Sequence, residues 1–304
     1  MSINVSNYQM AMDTVAHLND TQQQMQAAST QLSTGLRVNQ PSDDPVAEGV
    51  IVNLNSQVER NQGFTSAAQS GANQLGLSSQ ILGQAQQLLL GAQSAGLQGA
   101  NSATMSQTDL NSRAQTVDQT LNQMVDLANT QQGGETLFGG YQTQTPAFST
   151  TTDASGQVTA VTYQGDAGVN QTQVGENISV QTNIVGSTAF DATGASAFQS
   201  LIAVRDALQN GDQTALQAGL TQLQSAMTNV SSQESRAGSL QASLQSRQTT
   251  LGAQSNTLTT FLSQQQDADM ATVAMQYQQA MTTYQAGIQT AGLIAQLPSI
   301  VNYM

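Results

Sequence analysis

Apolar side chains at both ends of the chain recur at the spacing of a helix that packs against another helix. From Met270 they fall at Ala274, Tyr277, Met281, Tyr284, Ile288, Ala291 and Ala295, with intervals of four and three in alternation. Such a stripe is a coiled-coil seam, too narrow to anchor the helix to a globular core. The same alternation runs near the start through Tyr8, Ala11, Val15, Leu18, Gln22, Met25, Ser29 and Leu32. The two ends therefore read as two halves of one coiled coil. Gln22 and Ser29 interrupt one seam and alanines thin the other, and a two-stranded coil this weak is not expected to hold alone in water. The pattern predicts arms that order as many copies pack together. Tyr8, Val15, Leu18, Met25, Leu32, Met270, Tyr277, Met281, Tyr284 and Ile288 are the assembly contacts it names.

The first arm gives way to Gly35-Leu36-Arg37-Val38-Asn39-Gln40-Pro41-Ser42-Asp43-Asp44-Pro45. Gly35 is suited to end a helix, Pro41 is expected to keep the chain extended, and Asp44 before Pro45 reads as an N-cap with proline at the first helical position. Gly35, Pro41, Asp43, Asp44 and Pro45 thus form a hinge, and capping accounts for the two aspartates without a metal ion.

From Val46 to about Asn129 the spacing is helical, with Gly91 to Gln107 read as a loop because Gly, Ser, Ala and Asn crowd it. Leu110, Ala114, Val117, Leu121, Met124 and Ala128 then restore the helical alternation. At Gln132-Gly133-Gly134 the composition shifts to Gly, Thr and Asn, with β-favouring runs at Val158 to Tyr163 and Ile178 to Ile184 between turn signals. Helix resumes at Phe198, breaks at Asn210-Gly211-Asp212 and continues through a run that places Arg247 and Gln254 in its seam, where they would fix register. The reading is a mainly α fold, with long helices in a coiled-coil-like bundle built from both chain ends and an inserted β-rich outer domain. Its parts are an N-terminal arm over 1–45, a helical core in two halves over 46–132 and 198–265, the β-rich domain over 133–197, and a C-terminal arm over 266–304.

Composition narrows what such a chain can do. Six basic residues, all arginine, stand against 19 acidic ones for a net charge of −13. Without a basic surface the chain has no means of neutralising phosphates, so neither nucleic acid nor an anionic membrane is an expected partner. No apolar run approaches the length of a membrane span. The first residues lack the basic and apolar regions of a secretory signal, so any route out of the cell is expected to need no cleaved leader.

No catalytic constellation is visible. His17 is the one histidine and lies off the apolar stripe, there is no cysteine, and no serine sits in a nucleophile elbow. Gly133-Gly134 and Gly139-Gly140 lack the lysine of a phosphate loop. Asp267 and Asp269 bracket the start of the last helix, where its dipole favours them. The expectation is a non-enzymatic chain without cofactor or metal.

The hinge Gln31-Leu32-Ser33-Thr34-Gly35-Leu36-Arg37-Val38-Asn39 with Pro41-Ser42-Asp43-Asp44-Pro45 resembles the N-terminal signature of the bacterial flagellin superfamily. Asp267-Ala268-Asp269-Met270-Ala271 followed by the terminal seam is similar to the C-terminal one. Leu137-Phe138-Gly139-Gly140-Tyr141, Tyr163-Gln164-Gly165-Asp166 and the ending Leu297-Pro298-Ser299-Ile300 resemble the hook–filament junction branch more than flagellin itself. The resemblance implies an extracellular structural part of the flagellum, exported by the flagellar type III apparatus with a cytoplasmic chaperone on the C-terminal seam. Its implied partners are further copies of itself, the first hook-associated protein and flagellin. Two alternatives stay open: a filament subunit, and a secreted binding module that uses the β-rich insertion.

Overall fold

The computed structural model describes residues 2–100 and 106–296, with side chains for residues 8–100 and 106–293. Long helices from both chain ends flank a strand-rich insertion in sequence, the class that the periodicity predicts. The chain divides into two units, one formed by residues up to Arg60 and from Gln254 onward, the other by Asn61–Ala253.

In the first unit, α1 (Ser2–Thr34) and α7 (Met270–Gln296) lie side by side. Their direction is antiparallel, because Leu36 bridges Asp267 while Leu18 reaches Gly287. The start of α2 (Pro45–Ala100) and the end of α6 (Gln213–Gln266) complete this unit. There Val38, Ala47 and Ile51 are buried, and Leu262 packs against them as a small apolar plug.

The second unit holds the main core. Leu75, Leu82 and Leu89 of α2 are buried at seven-residue intervals, as are Leu216, Leu223, Val230, Ala237 and Leu244 of α6. Strict heptads keep one stripe of each helix turned inward. The shorter α3 (Gln107–Ala128) and α5 (Ala197–Asn210) add Val117, Leu121, Met124, Leu201, Val204 and Leu208. Ser106 caps α3 by accepting from the Asp109 N–H, and Gly211 takes the left-handed conformation that ends α5.

The insertion contains four two-stranded antiparallel hairpins: β1 (Gln131–Gln132) with β2 (Glu135–Thr136), β3 (Phe148–Thr152) with β4 (Val158–Tyr163), β5 (Gln171–Gly175) with β6 (Ile178–Gln181), and β7 (Asp191–Ala192) with β8 (Ala195–Ser196). A short α4 (Gly186–Phe190) precedes the last pair. Isolated hairpins are marginal in water, and here an aromatic core holds them. Phe138, Phe148, Tyr163, Phe190 and Phe198 interlock with ring centroids 5.0–6.1 Å apart.

Three local expectations are corrected. Gly91 to Gln107 is not a loop throughout, since α2 continues to Ala100. The glycines that suggested a loop are sites of close helix approach: a β-carbon on Gly96 would stand 2.7 Å from Leu220 Cδ2, and one on Gly99 would strike Leu208. The strand predicted for Ile178 to Ile184 stops at Gln181, and Asn183 leaves the ladder to accept from the Asn170 N–H and donate to the Gly168 carbonyl. Gln254 is exposed, and Arg247 turns from the helix seam to the insertion, where Nε donates to the Val174 carbonyl at 2.8 Å.

Arg247 is one of three arginines with this task. Arg205 is 2% exposed and donates to the Val158 carbonyl at 2.6 Å while pairing with Asp118 and Asp206 at 2.9 and 2.7 Å. Arg236 donates to the Gln181 side chain at 2.9 Å. Half of the chain's six basic residues therefore fasten hairpins of the insertion to α5 and α6.

Candidate assembly interface

The hinge is built from backbone hydrogen bonds that its sequence sets up. Gly35, at φ +73°, ends α1 and donates its N–H to Gln31 at 2.8 Å. The chain then runs beside the end of α6: the Arg37 N–H donates to the Gln266 carbonyl at 2.6 Å and the Ala268 N–H to the Gly35 carbonyl at 2.9 Å. The Arg37 guanidinium reaches the Gln265 carbonyl at 2.7 Å and Asp44 at 3.0 Å. Pro41 is not extended but occupies the second position of a turn, closed by the Asp43 N–H donating to the Gln40 carbonyl at 2.9 Å. Proline's fixed φ suits that position.

Each hinge aspartate serves backbone donors. Asp43 accepts the N–H groups of Asn39 and Gln40, and the first of these chiefly holds its carboxyl below the usual range. Asp44 caps α2 through the Ala47 N–H, which together with Arg37 lowers its pKa too, and Pro45 opens the helix. Asp269 caps α7, its pKa lowered by the Thr272 hydroxyl and then by the N–H groups of Thr272 and Ala271.

Beyond the hinge, the arms meet along a seam shifted from the expected one. Residues turned inward on α1 are Ala11, Thr14, Leu18, Thr21, Met25, Ala28 and Leu32; on α7 they are Val273, Tyr277, Ala280, Tyr284, Gly287 and Ala291. Leu18, Met25, Leu32, Tyr277 and Tyr284 are thus half-buried between the arms. The alternate positions are one residue off: Thr14, Thr21 and Ala28 replace Val15, Gln22 and Ser29, Val273 and Gly287 replace Ala274 and Ile288, and buried Ala280 adjoins half-buried Met281. Small residues win because they let the two backbones approach. The threonine hydroxyls are satisfied within the helix, Thr14 donating to the Met10 carbonyl and Thr21 to that of His17, each at 2.7 Å. The missed signal was a seven-residue repeat of small side chains, Thr14-Thr21-Ala28 and Ala280-Gly287.

The larger apolar residues are displaced to the flank. Tyr8, Met12, Val15 and Ile288 are 66%, 55%, 51% and 50% exposed, Met270 is exposed, and Met281 is half-buried. Helical spacing puts Tyr8, Met12 and Val15 on one side of α1, and Met270, Met281 and Ile288 on one side of α7. In an antiparallel pair both stripes turn to the same side. The other side is a groove lined by Thr21, Gln24, Gln31, Gln276, Gln279 and Thr283. One face of the arm pair therefore carries an apolar stripe, and the groove on the other is lined by amides, threonines and alanines.

His17 is exposed, and among the described residues no group of three or more His, Cys, Asp or Glu could hold a metal ion. No described helix is long and apolar enough to cross a membrane. The fold presents paired terminal helices with an exposed apolar flank.

The N-terminal helical region of bacterial flagellin matches residues 5–143, and its C-terminal helical region matches residues 220–304. The chain belongs to the flagellin superfamily. The flagellar hook-associated protein 3 of Escherichia coli strain K12 is 29% identical over 188 residues, which are 62% of this chain and 56% of that protein. The match thus spans little more than half the length of that relative. In fold, the chain is similar to a flagellar hook-associated protein of Vibrio parahaemolyticus, with TM-score 0.67 at 18% identity over 74% of this chain and 100% of that one. It is likewise similar to the flagellar hook associated protein-3 of Legionella pneumophila, with TM-score 0.62 at 15% identity over 70% and 98% of the two chains. These relatives are named as flagellar hook-associated proteins.

Proposed function

We propose that the chain is a structural adaptor at the junction between the flagellar hook and the flagellin filament. The observation that carries this reading is the apolar flank of the arm pair. Two helices that close on small residues and leave Tyr8, Met12, Val15 and Ile288 in water have apolar area still to bury. Neighbouring copies supply that burial, in a head-to-tail contact that extends instead of closing as a dimer. On this reading the first hook-associated protein lies on one side of the adaptor and flagellin on the other. The subunit reaches its place through the type III export apparatus, with a chaperone covering α7 beforehand, and its location is extracellular.

A strain lacking the chain tests the proposal. Hooks should form, and flagellin should appear in the medium without attached filaments. Filaments of normal length in that strain would sink the adaptor reading. The filament-subunit reading draws support from the flagellin descriptions of both matched regions. It predicts that purified chain elongates into long filaments by itself, whereas an adaptor requires a hook-side template.

A further inference from the structure

Methionine is distributed very unevenly between the two units. Met124 and Met227 in the core of the second unit are 0% and 5% exposed. On the arms, Met10, Met12, Met270 and Met275 are 52%, 55%, 45% and 65% exposed. Among the described residues, every methionine open to solvent to this degree is on α1 or α7, and the chain has no cysteine to intercept an oxidant first. Oxidation of a thioether follows its accessibility and replaces a flexible apolar side chain with a polar, chiral one.

We propose that Met10 and Met12, and Met270 and Met275 towards the opposite end of the arm pair, are sites of oxidative modification, at which hydrogen peroxide produces methionine sulfoxide and thereby weakens attachment of the arms while the second unit stays folded. The sulfur lone pair attacks one peroxide oxygen and an S–O bond forms as the O–O bond breaks. The departing hydroxide takes the remaining proton and leaves as water. Sulfur loses two electrons and peroxide gains them, so no other reactant is needed.

The consequence for attachment comes from position. Met12 lies in the stripe of Tyr8 and Val15, and Met270 in that of Met281 and Ile288. A sulfoxide there brings a strong acceptor into a surface that packing would remove from water, where an unpaired polar group is costly. Met124 and Met227, shielded by the core, are protected from the same dose. This consequence rests on the adaptor reading above; the oxidation pattern itself does not.

The test is limited peroxide treatment of the full-length chain, followed by peptide mass mapping and by co-sedimentation with isolated flagellar hooks. Met10, Met12, Met270 and Met275 should gain oxygen at least about tenfold faster than Met124 and Met227, and methionine sulfoxide reductases should reverse the change. Co-sedimentation should fall about tenfold, a loss of ~1.4 kcal/mol, and recover after the reductase. A variant with leucine at all four positions, compared with its own untreated binding, should lose the peroxide response. Equal oxidation of Met124 and Met227, or an unchanged peroxide response in the leucine variant, would overturn the proposal. If untreated chain does not bind hooks at all, the adaptor reading fails, and the mass map alone decides whether the modification site exists.

Discussion

Leu18 of α1 rests on Gly287 of α7 so closely that a β-carbon there would stand 2.8 Å from Leu18 Cδ2. The arm seam is closed at this point by the absence of a side chain. Gly287→Val should force the helices apart at a cost of about 1–3 kcal/mol. Gly287→Ala should be nearly neutral, since the end of Leu18 can move and alanine gains about 0.5–1 kcal/mol over glycine within a helix. Amide hydrogen exchange in α1 and α7 separates the two outcomes: protection drops for valine and holds for alanine.

The arginine ties of the insertion differ in depth, and their losses should differ accordingly. Arg205→Ala removes a buried guanidinium and leaves Asp118, Asp206 and the Val158 carbonyl to find other partners. About 2–4 kcal/mol should be lost in urea unfolding of the second unit. Arg236→Ala removes one exposed hydrogen bond to Gln181 and should cost less than about 1 kcal/mol.

The hinge should be labile to acid. Asp43, Asp44 and Asp269 all have pKa values lowered in the folded chain by the donors they serve. Their contribution is present above the unfolded carboxylate value of about 4 and is lost as pH falls through the lower folded values. Between pH 5 and pH 2, roughly that window, helix loss followed by circular dichroism should involve the ends of α2 and α7. Asp44→Asn should flatten the dependence, because an asparagine can still cap the helix and does not titrate.

At the alkaline end the sensitive group is Tyr163. Burial, aided by the charge of Asp166, pushes its phenol up to about 12, and its one hydroxyl proton is shared between the carbonyls of Phe138 and Asp166. The folded state therefore keeps this proton where the unfolded chain loses it. Stability should be intact below about pH 10, the unfolded value for tyrosine, and should decline as pH rises through about 12. Tyr163→Phe should remove that decline while costing about 1 kcal/mol at neutral pH for the lost hydrogen bonds.

Much of this architecture is legible in periodicity. The heptads of Leu216 to Leu244, the turn at Gly211 and the strand Val158–Tyr163 follow from local spacing and turn residues. What failed to show depends on a distant partner. Gly96 and Gly99 look like loop residues until Leu220 and Leu208 of the facing helices are placed against them. Arg247 occupies a seam position by count, yet the Val174 carbonyl draws it away. In the arms, size decided between two registers one residue apart, and a pattern of apolar letters cannot weigh Ile288 against Gly287 when the close approach of α1 is unknown.

The hydrogen bond from Arg37 to the Gln265 carbonyl joins residues 228 apart in sequence. Everything between them must exist before the first helix meets the last, and a loop of that length has a large closure entropy. During synthesis, α1 is therefore without its mate until the more than 200 residues that separate it from α7 have been joined to it. The same holds for a chain threaded end-first through a narrow conduit: whichever terminus leads must wait for the other to emerge. The arrival of α7 sets the earliest moment at which the paired arms can exist.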